Sequence, residues 1–512
     1  MLFNSAPFIF GFLPVAIALL WLAPRLQGPA PRVLFMALLS VAFYAAWDWR
    51  FVPLLLGSIA LNFLAGRAIH VRDGGPRQLA FFLAVSANLA ALFFFKYLGF
   101  AVESLNWLLG MRLSQPGVTL PLGISFFTFT QIAYLADVYQ RRAIEPAPAK
   151  YALFVTFFPH LIAGPILHHK EMMPQFETMK ITGRNVAVGL SMFVFGLAKK
   201  MLLADALAPI AVRVFDAADR GVDFTSLEAW IGTLAYTFQL YFDFSGYSDM
   251  ALGLGVIFGV RLPLNFNSPY KARNIIEFWQ RWHMTLSRFL RDYLYIPLGG
   301  NRRGTVRRYA NLMITMLLGG AWHGAGLNYI LWGGLHGAYL VVNHAWRGLS
   351  ARLPALLRPV ASAINSFARP LTFLAVTVAW VPFRAAHLEG AVRLLDVMFK
   401  GPWVLPPRVA IASGAIASIA ARVGVRFDTD AFRLVDPRFA SVLLLAAAVI
   451  AFLLPNISEL FSAEQPALNA PGPRSSQILW TPSWKWAAAT AVLAASTLLS
   501  LAQPTQFLYF QF

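Results

Sequence analysis

Two histidines, His323 and His336, lie in stretches of sequence that otherwise have the composition of membrane spans. His323 follows the apolar run 312–318 and has glycines on both sides, and His336 lies in the next apolar run, 329–338. An ionisable side chain at membrane depth is costly, so by default it marks a pathway or a reactive site. A neutral imidazole can take a proton from a hydroxyl and pass it to a leaving group. We therefore predict His323 as a catalytic base supported by Trp322 and His336. The alternative is a core histidine bonded to a backbone carbonyl.

A second candidate histidine lies upstream, in the segment 274–293. Apolar residues recur there at helical spacing, from Ile276 to Leu290, and charged residues occupy the opposite face. This pattern predicts a single amphipathic helix in the bilayer plane or at a protein interface. His283 falls on the apolar side of that helix. We predict it as a second catalytic residue, with a purely interfacial helix as the alternative.

Two carboxylates, Asp243 and Asp249, lie in an aromatic stretch of the sequence. Charges there are expensive in lipid, so we expect them to face an internal cavity or to pair with arginines, with pairing favoured over acid–base chemistry. Basic residues are dense between positions 271 and 310. Arg288, Arg302 and Arg303 are candidates for a patch that binds the phosphates of a nucleotide-like donor. Lipid headgroups or membrane topology alone would also explain them.

The elements that position these residues are apolar spans. Of the 512 residues, 58% are hydrophobic and 13% are charged, and several uncharged runs reach the ~20 residues that cross a bilayer as a helix. This composition predicts an all-α, polytopic transmembrane protein. Residues 1–118 and 351–512 read as ordinary spans, whereas segments within 119–350 are short and broken by Gly and Pro. Interrupted helices at membrane depth occur where they line a cavity or are buried in protein, so the middle third predicts an internal tunnel.

The charge balance fits this topology. The chain has 42 Lys and Arg against 23 Asp and Glu, a net charge of +19, and no cysteine. The basic residues sit in short loops, so we predict no nucleic-acid partner, and their alternation places the N-terminus on the outer side of the membrane. No charged side chain follows Lys485, so we expect the C-terminal residues on the outer side as well. Without cysteine, thioester enzyme intermediates, Cys-ligated zinc and disulfides are excluded. The spacing of His160, His168 and His169 fits no familiar zinc pattern, so no metal site is predicted.

Five ordered motifs resemble those of membrane-bound O-acyltransferases, namely residues 121–129, 158–166, 241–249, 282–289 and 322–324. The likeness is strongest to the bacterial branch of alginate O-acetyltransferases and teichoic-acid D-alanyl transfer proteins. It implies one integral membrane domain over 1–512, with a ring of about 11–13 helices, some broken or horizontal, around a central tunnel. It also implies catalytic core motifs over 121–345, the family's catalytic histidine at His323 and its second motif position at His283.

The C-terminal residues 503–512 resemble an aromatic motif of the same branch, in which a tyrosine is thought to carry the acyl group. This likeness implies Tyr509 as an acyl relay. A phenol is more acidic than a sugar hydroxyl, so a tyrosyl ester can pass its acyl group onward. An aromatic anchor at the membrane interface is the alternative.

Together, these features lead to the hypothesis of an O-acetyltransferase. Acetyl-CoA donates acetyl at the cytoplasmic face of the inner membrane, without a bound cofactor, and His323 deprotonates the accepting hydroxyl. His283 or a backbone amide would stabilise the oxyanion. A periplasmic acetyl-accepting partner then modifies an exopolysaccharide such as alginate, and membrane lipids surround the protein. The alternatives are transfer of D-alanyl or another acyl group from a carrier protein, and a polymer or lipid transporter.

Overall fold

The computed structural model describes residues 1–22, 29–422, 424–472, 478–501 and 508. Nearly all regular structure in these residues is helical, which confirms the all-α prediction. The first helices are α1 (Leu13–Leu22), α2 (Pro29–Asp48), α3 (Val52–His70), α4 (Gly74–Leu92) and α5 (Leu98–Leu109). The middle of the chain forms α6 (Ile124–Tyr139), α7 (Pro148–Thr156), α8 (Phe158–Leu161), α9 (His169–Glu177), α10 (Gly183–Ala198), α11 (Asp205–Asp219), α12 (Ser226–Ile257), α13 (Ile275–Trp279), α14 (Met284–Leu290), α15 (Gly304–His323) and α16 (Leu327–Ser350).

The last third continues this helical pattern. It forms α17 (Arg358–Ser366), α18 (Ala368–Arg384), α19 (Leu388–Lys400), α20 (Pro407–Ser413), α21 (Ala415–Arg422), α22 (Pro437–Phe452), α23 (Ile457–Leu460) and α24 (Trp484–Leu499). Two short parallel strands, β1 (Val404–Leu405) and β2 (Arg426–Phe427), form the only sheet in the part of the chain that the structure describes.

Three continuous helical segments of the described chain have the length and apolar composition to cross a membrane: Pro29–His70, Gly74–Leu109 and Gly183–Asp219. The first segment contains two helices that meet at Asp48. The backbone of Asp48 is extended, and its side chain accepts a hydrogen bond from the Arg50 amide, which starts a new helical turn. The two resulting helices have 20 and 19 residues. At about 1.5 Å per residue, each is as long as the hydrocarbon core is thick.

Helix α12 is the central element, with 32 residues that are almost all buried. It packs closely against α10 because both helices carry glycine at the crossing. A Cβ atom on Gly246 of α12 would lie 2.7 Å from the carbonyl oxygen of Gly196 on α10. Small residues at such a crossing let two membrane helices approach backbone to backbone. This close contact gives the middle third a rigid support.

The candidate histidines lie where two apolar clusters meet. Trp322 belongs to one cluster of buried side chains, and Trp332 and Phe244 belong to the other. His323 contacts Trp322 and Trp332, and His283 contacts Trp322 and Phe244. The two imidazoles are therefore enclosed by aromatic side chains.

Candidate active site

The hairpin of α15 and α16 places His323 at a helix end. His323 is the last residue of α15, and α16 begins at Leu327 after an extended Gly324. The two helices pack tightly at Gly320 and Gly333: a Cβ on Gly320 would lie 2.3 Å from the Tyr329 carbonyl oxygen. From the sequence, the glycines beside His323 are expected to let a ligand or another helix approach the backbone closely. Their role in the structure is to let the two helices meet directly beside the histidine.

The region around His283 corrects the prediction of a single amphipathic helix over 274–293. The chain forms two short helices, α13 and α14, and His283 lies between them with φ 40° and ψ 53°. A left-handed backbone is rare for a residue other than glycine and needs support from its surroundings. The Asn265 carbonyl supplies part of that support by accepting a hydrogen bond from the Met284 amide at 2.9 Å.

The Asn265 side chain also fixes the His283 ring. Asn265 Oδ1 lies 3.0 Å from His283 Nδ1 and accepts a hydrogen bond from Thr285 Oγ1 at 2.9 Å. Thr285 Oγ1 in turn accepts from the Ile166 amide at 3.0 Å. Because Asn265 Oδ1 acts as the acceptor, His283 Nδ1 carries a proton. In the neutral ring, the lone pair is then on Nε2.

His283 and His323 form a buried pair. Their ring centroids are 6.4 Å apart, and the residues are 0% and 5% exposed. Trp322 lies beside both, with its ring centroid 4.9 Å from His323 and 6.2 Å from His283. The structure thus brings together two histidines that are separated in the sequence by α14, a π-helical turn (Arg291–Tyr295) and the length of α15.

His336 belongs to the aromatic wall behind this pair. Its Nδ1 accepts a hydrogen bond from Trp279 Nε1 at 3.3 Å, and its ring stacks on Phe278. Trp332 lies between the two α15–α16 histidines, 5.0 Å from the His323 ring and 4.9 Å from the His336 ring. Through Trp332, His336 supports the ring of His323 without touching it.

Sequence analysis missed Lys96, which lies on a π-helical turn, Phe93–Tyr97. Its Nζ donates hydrogen bonds to the carbonyl oxygens of Trp322 at 2.6 Å and His323 at 3.0 Å. The neighbouring Tyr97 hydroxyl donates to the Ala321 carbonyl at 2.9 Å. A signal was present in the sequence, because Lys96 is the single charged residue between Arg77 and Glu103.

One cavity is lined by His323, and a larger one is lined by the residues that follow His283 in the sequence. The His323 cavity, of about 180 Å³, is lined by Lys96, Ser125, Trp322, His323 and the segment 120–126. The Arg288 cavity, of about 430 Å³, has a mainly apolar lining that includes Trp279, Met284 and Thr285, together with Arg288 and Arg291. Met284 and Thr285 follow His283 directly in the sequence, although His283 itself does not line the larger cavity.

Asp243 and Asp249 pair with lysines rather than with the arginines expected. Asp243 Oδ1 lies 2.7 Å from Lys200 Nζ, and Asp249 Oδ2 lies 2.6 Å from Lys199 Nζ. Asp243 Oδ2 also accepts a hydrogen bond from the Leu508 amide. Neither carboxylate lines the two cavities described above, so their observed contacts are structural. Tyr509 lies outside the described residues.

The structure does not bring the three arginines of the predicted basic patch to one cavity. Arg288 lines the larger cavity and forms a bidentate ion pair with Glu171, with Nη1–Oε1 and Nη2–Oε2 distances of 2.7 and 2.9 Å. Arg302 and Arg303 are exposed and line neither cavity. His160 bonds the Phe154 carbonyl and His168 bonds Tyr293. Across the described ranges, no group of three or more His, Asp and Glu side chains is arranged to hold a metal.

The part of the chain that contains this site matches a known protein family. The sequence model of MBOAT, the membrane-bound O-acyltransferase family, matches residues 85–379, more than half of the chain. The matched range contains Lys96, Asn265, His283, His323 and His336.

Curated relatives extend the likeness to most of the chain. A peptidoglycan O-acetyltransferase of Helicobacter pylori is 40% identical over 499 residues, which is 91% of each chain. A probable alginate O-acetylase AlgI of Pseudomonas aeruginosa is 44% identical over 417 residues, 79% of this chain and 76% of that one. A teichoic acid D-alanyltransferase of Streptococcus thermophilus is 30% identical over 239 residues, 44% of this chain and 57% of that one.

Proposed function

The chain belongs to the membrane-bound O-acyltransferase family, and from this premise we propose that it O-acetylates an exopolysaccharide such as alginate. The resemblance noted in the sequence motifs, and with it the prediction of a membrane-embedded helical acyltransferase, is confirmed. The observation that carries the proposal is the buried pair of His283 and His323, in which His323 lines a cavity. Acetyl transfer needs a base that is shielded from water and reached from a donor and an acceptor side.

The donor in this proposal is acetyl-CoA, taken up from the cytoplasm. The Arg288 cavity has the apolar lining that suits an extended thioester arm, and Arg288 and Arg291 supply positive charge for phosphate groups. The positive-inside rule places this basic region of the sequence on the cytoplasmic side. Arg302 and Arg303, exposed nearby in sequence, would attract the donor at longer range.

The chemistry follows from the two imidazoles. The acceptor hydroxyl attacks the thioester carbonyl, a C–O bond forms, and the C–S bond breaks with release of the thiolate. His323 takes the hydroxyl proton and returns it to that sulfur, so the base is regenerated. The hydroxyl has a single proton, which His323 accepts, so His283, whose ring is held by Asn265 with its lone pair on Nε2, orients the acceptor by packing against it. In this tautomer it does not donate to the oxyanion, which leaves backbone amides for that role.

In this proposal the acetyl group leaves the histidine pair toward the periplasmic side of the membrane. The acetyl group passes to Tyr509 or directly to a periplasmic acetyl-accepting partner, and both chain termini lie on the periplasmic side of the inner membrane. The whole of 1–512 then acts as one integral membrane domain, with its catalytic motifs over 121–345 and its relay motif over 503–512. What favours the relay is Leu508, the residue before Tyr509 in the sequence, which is buried and donates its amide to buried Asp243.

A second acceptor is favoured by the comparison with relatives. The relative named for peptidoglycan aligns with 91% of this chain, against 79% for the relative named for alginate. Peptidoglycan O-acetylation uses the same acyl-transfer chemistry with a different envelope polymer as acceptor. Transfer of D-alanyl is less favoured because the relative with that name aligns with 44% of the chain.

The test replaces His323 by Ala in a strain that makes O-acetylated polymer. We expect O-acetyl groups to disappear from the polymer while the protein stays in the membrane at its normal level. The matched control is His387→Ala, because His387 is an exposed histidine at the start of α19 and should leave acetylation unchanged. Purified protein given labelled acetyl-CoA identifies the donor, and mass spectrometry of the C-terminal peptide shows whether Tyr509 becomes acetylated. Continued acetylation by His323→Ala contradicts the proposal.

A further inference from the structure

The end of helix α15 is held by two side chains from a distant part of the chain. The last four carbonyl groups of an α-helix have no partner within the helix. Here Tyr97 bonds the carbonyl of Ala321, and Lys96 bonds those of Trp322 and His323. Both donors come from one π-helical turn, Phe93–Tyr97, more than 220 residues earlier.

A lysine is an unusual hydrogen-bond donor for the end of a membrane-embedded helix. Lys96 lies in the apolar segment Gly74–Leu109, which is long enough to cross the membrane, and a charge there is costly. Within the described residues, Lys96 forms no ion pair with a carboxylate. The negative end of the α15 dipole, rather than an acid, compensates its charge. A lysine kept at this depth despite that cost indicates that its bonds to the end of α15 have a use.

The position of Lys96 identifies that use. The ammonium group lines the His323 cavity together with Trp322 and His323, and it lies 5.7 Å from the centre of the Trp322 ring. Its Nζ also makes a weaker contact with Ser125 Oγ at 3.5 Å, and Ser125 lines the same cavity. Lys96 therefore connects the backbone of His323, the indole beside His323 and Ser125.

We propose that Lys96 is a positioning residue for acyl transfer. It locks the last residues of α15 so that the His323 imidazole is held against the cavity, and it keeps Trp322 packed over the reacting groups. This inference rests on the proposed acyl transfer and adds a residue to its machinery. A catalytic group displaced by about 1 Å loses roughly 100-fold in rate, so the effect of losing Lys96 should be large.

The test compares Lys96→Met with the wild type in purified, lipid-reconstituted protein. Methionine keeps the length and apolar stem of lysine but cannot donate to the carbonyls. We expect kcat to fall by roughly 100-fold while the KM for the acyl donor stays within about twofold, because the Arg288 cavity is untouched. Tyr97→Phe removes one neutral bond of the same helix end and should lose less than tenfold. The matched control is Lys271→Met, because Lys271 also donates to a backbone carbonyl, that of Leu454, and neither residue lines the two cavities.

Chemical rescue separates positioning from a general loss of fold. In Lys96→Ala, the shortened side chain enlarges the His323 cavity, and added propylamine should restore activity while 1-propanol should not. Rescue requires a folded enzyme, so it remains informative if the variants are less stable than the wild type. A Lys96→Met enzyme with wild-type kcat, or Lys96→Ala that amine does not restore, overturns the inference.

The comparison is made with whichever acyl donor the wild type turns over. If acetyl-CoA is the wrong donor, the wild type itself is inactive with it and active with another thioester. If instead the role of Lys96 is wrong, the wild type and Lys96→Met are equally active with the same donor. The two failures are therefore distinct.

Discussion

The backbone N–H of Leu508 donates a hydrogen bond to Asp243 Oδ2 at 3.2 Å, joining the end of the chain to the middle of its central helix. Asp243 is 1% exposed and Leu508 is 3% exposed. The other oxygen of the same carboxylate binds Lys200 Nζ, which also binds Asp205. One buried carboxylate thus neutralises a lysine and anchors the residue that precedes Tyr509.

The first prediction concerns this anchor. Asp243→Asn removes the charge that balances Lys200 and weakens the acceptor for the Leu508 amide. Breaking one side of a buried ion pair costs about 3–5 kcal/mol, and Asp205 remains as a second partner for Lys200, so we expect a loss near the lower end. The C-terminal tail should also become more sensitive to carboxypeptidase. Thermal unfolding in detergent and digestion of the tail measure the two effects.

Asp249→Asn is the control for the tail effect. Asp249 lies on the same helix and pairs with Lys199 at 2.6 Å, but it has no bond to Leu508. It should lower thermal stability without exposing the tail. Equal digestion of both variants would show that the Asp243–Leu508 bond does not hold the tail.

The second prediction concerns Asn265 and the ring of His283. Asn265→Leu removes the acceptor that fixes His283 Nδ1–H, so the ring can rotate or change tautomer. We expect kcat to fall by roughly 100-fold, the loss typical of a misplaced catalytic group. Thr285→Val is the control, because it removes a donor to Asn265 but keeps the His283 bond. Because it also leaves the buried Ile166 amide without its acceptor, it should cost about 1–3 kcal/mol of stability but little activity. A Leu variant with normal kcat would mean that His283 only shapes the tunnel.

How far the sequence predicts the site depends on whether a feature is local. The helix spans and the exceptional position of His323 follow from composition and from neighbouring glycines, which short stretches of sequence contain. Lys96 and His323 meet across more than 220 residues, and no local periodicity encodes such a contact. The break at His283 was missed for a similar reason. Its apolar spacing fits a helix, but the left-handed backbone is stabilised by Asn265 from another segment.

The partners of Asp243 and Asp249 show the same limit. The sequence indicates that two carboxylates in an aromatic helix need cations, but many arginines and lysines are available. The selection of Lys199 and Lys200 depends on the glycine crossing of α10 and α12, which brings the turn after α10 against α12. The sequence therefore predicts that these carboxylates form ion pairs, whereas the identity of their partners follows only from the packing of α10 against α12.

The third prediction uses the close approach of α15 and α16. Gly320→Ala places a methyl group 2.3 Å from the Tyr329 carbonyl oxygen, so the helices must separate. We expect a loss of about 1–3 kcal/mol in stability and a fall in kcat, because α15 ends in His323. Gly348→Ala on α16 meets nothing within 4 Å and should be neutral or slightly stabilising. Thermal unfolding and acyl-transfer rates measured on both variants check this. Equal behaviour of the two would exclude helix spacing as the means by which His323 is positioned.

The last prediction tests the donor side through the pair of Arg288 and Glu171. Arg288 lines the larger cavity and bonds both oxygens of Glu171. Arg288→Gln removes a phosphate ligand and leaves an uncompensated carboxylate facing an anionic donor. We expect the KM for acetyl-CoA to rise by at least about tenfold, as for the loss of one hydrogen bond to a charged group, with a smaller change in kcat.

Glu171→Gln changes the same pair in the opposite sense. It breaks the same ion pair but leaves the positive charge of Arg288 free for the donor, so the KM should fall or stay unchanged. Steady-state kinetics at two salt concentrations separate the cases, because screening weakens the effect of an exposed charge on binding. If both variants raise the KM equally, the ion pair serves only to hold α9 against α14, and the donor phosphates bind elsewhere.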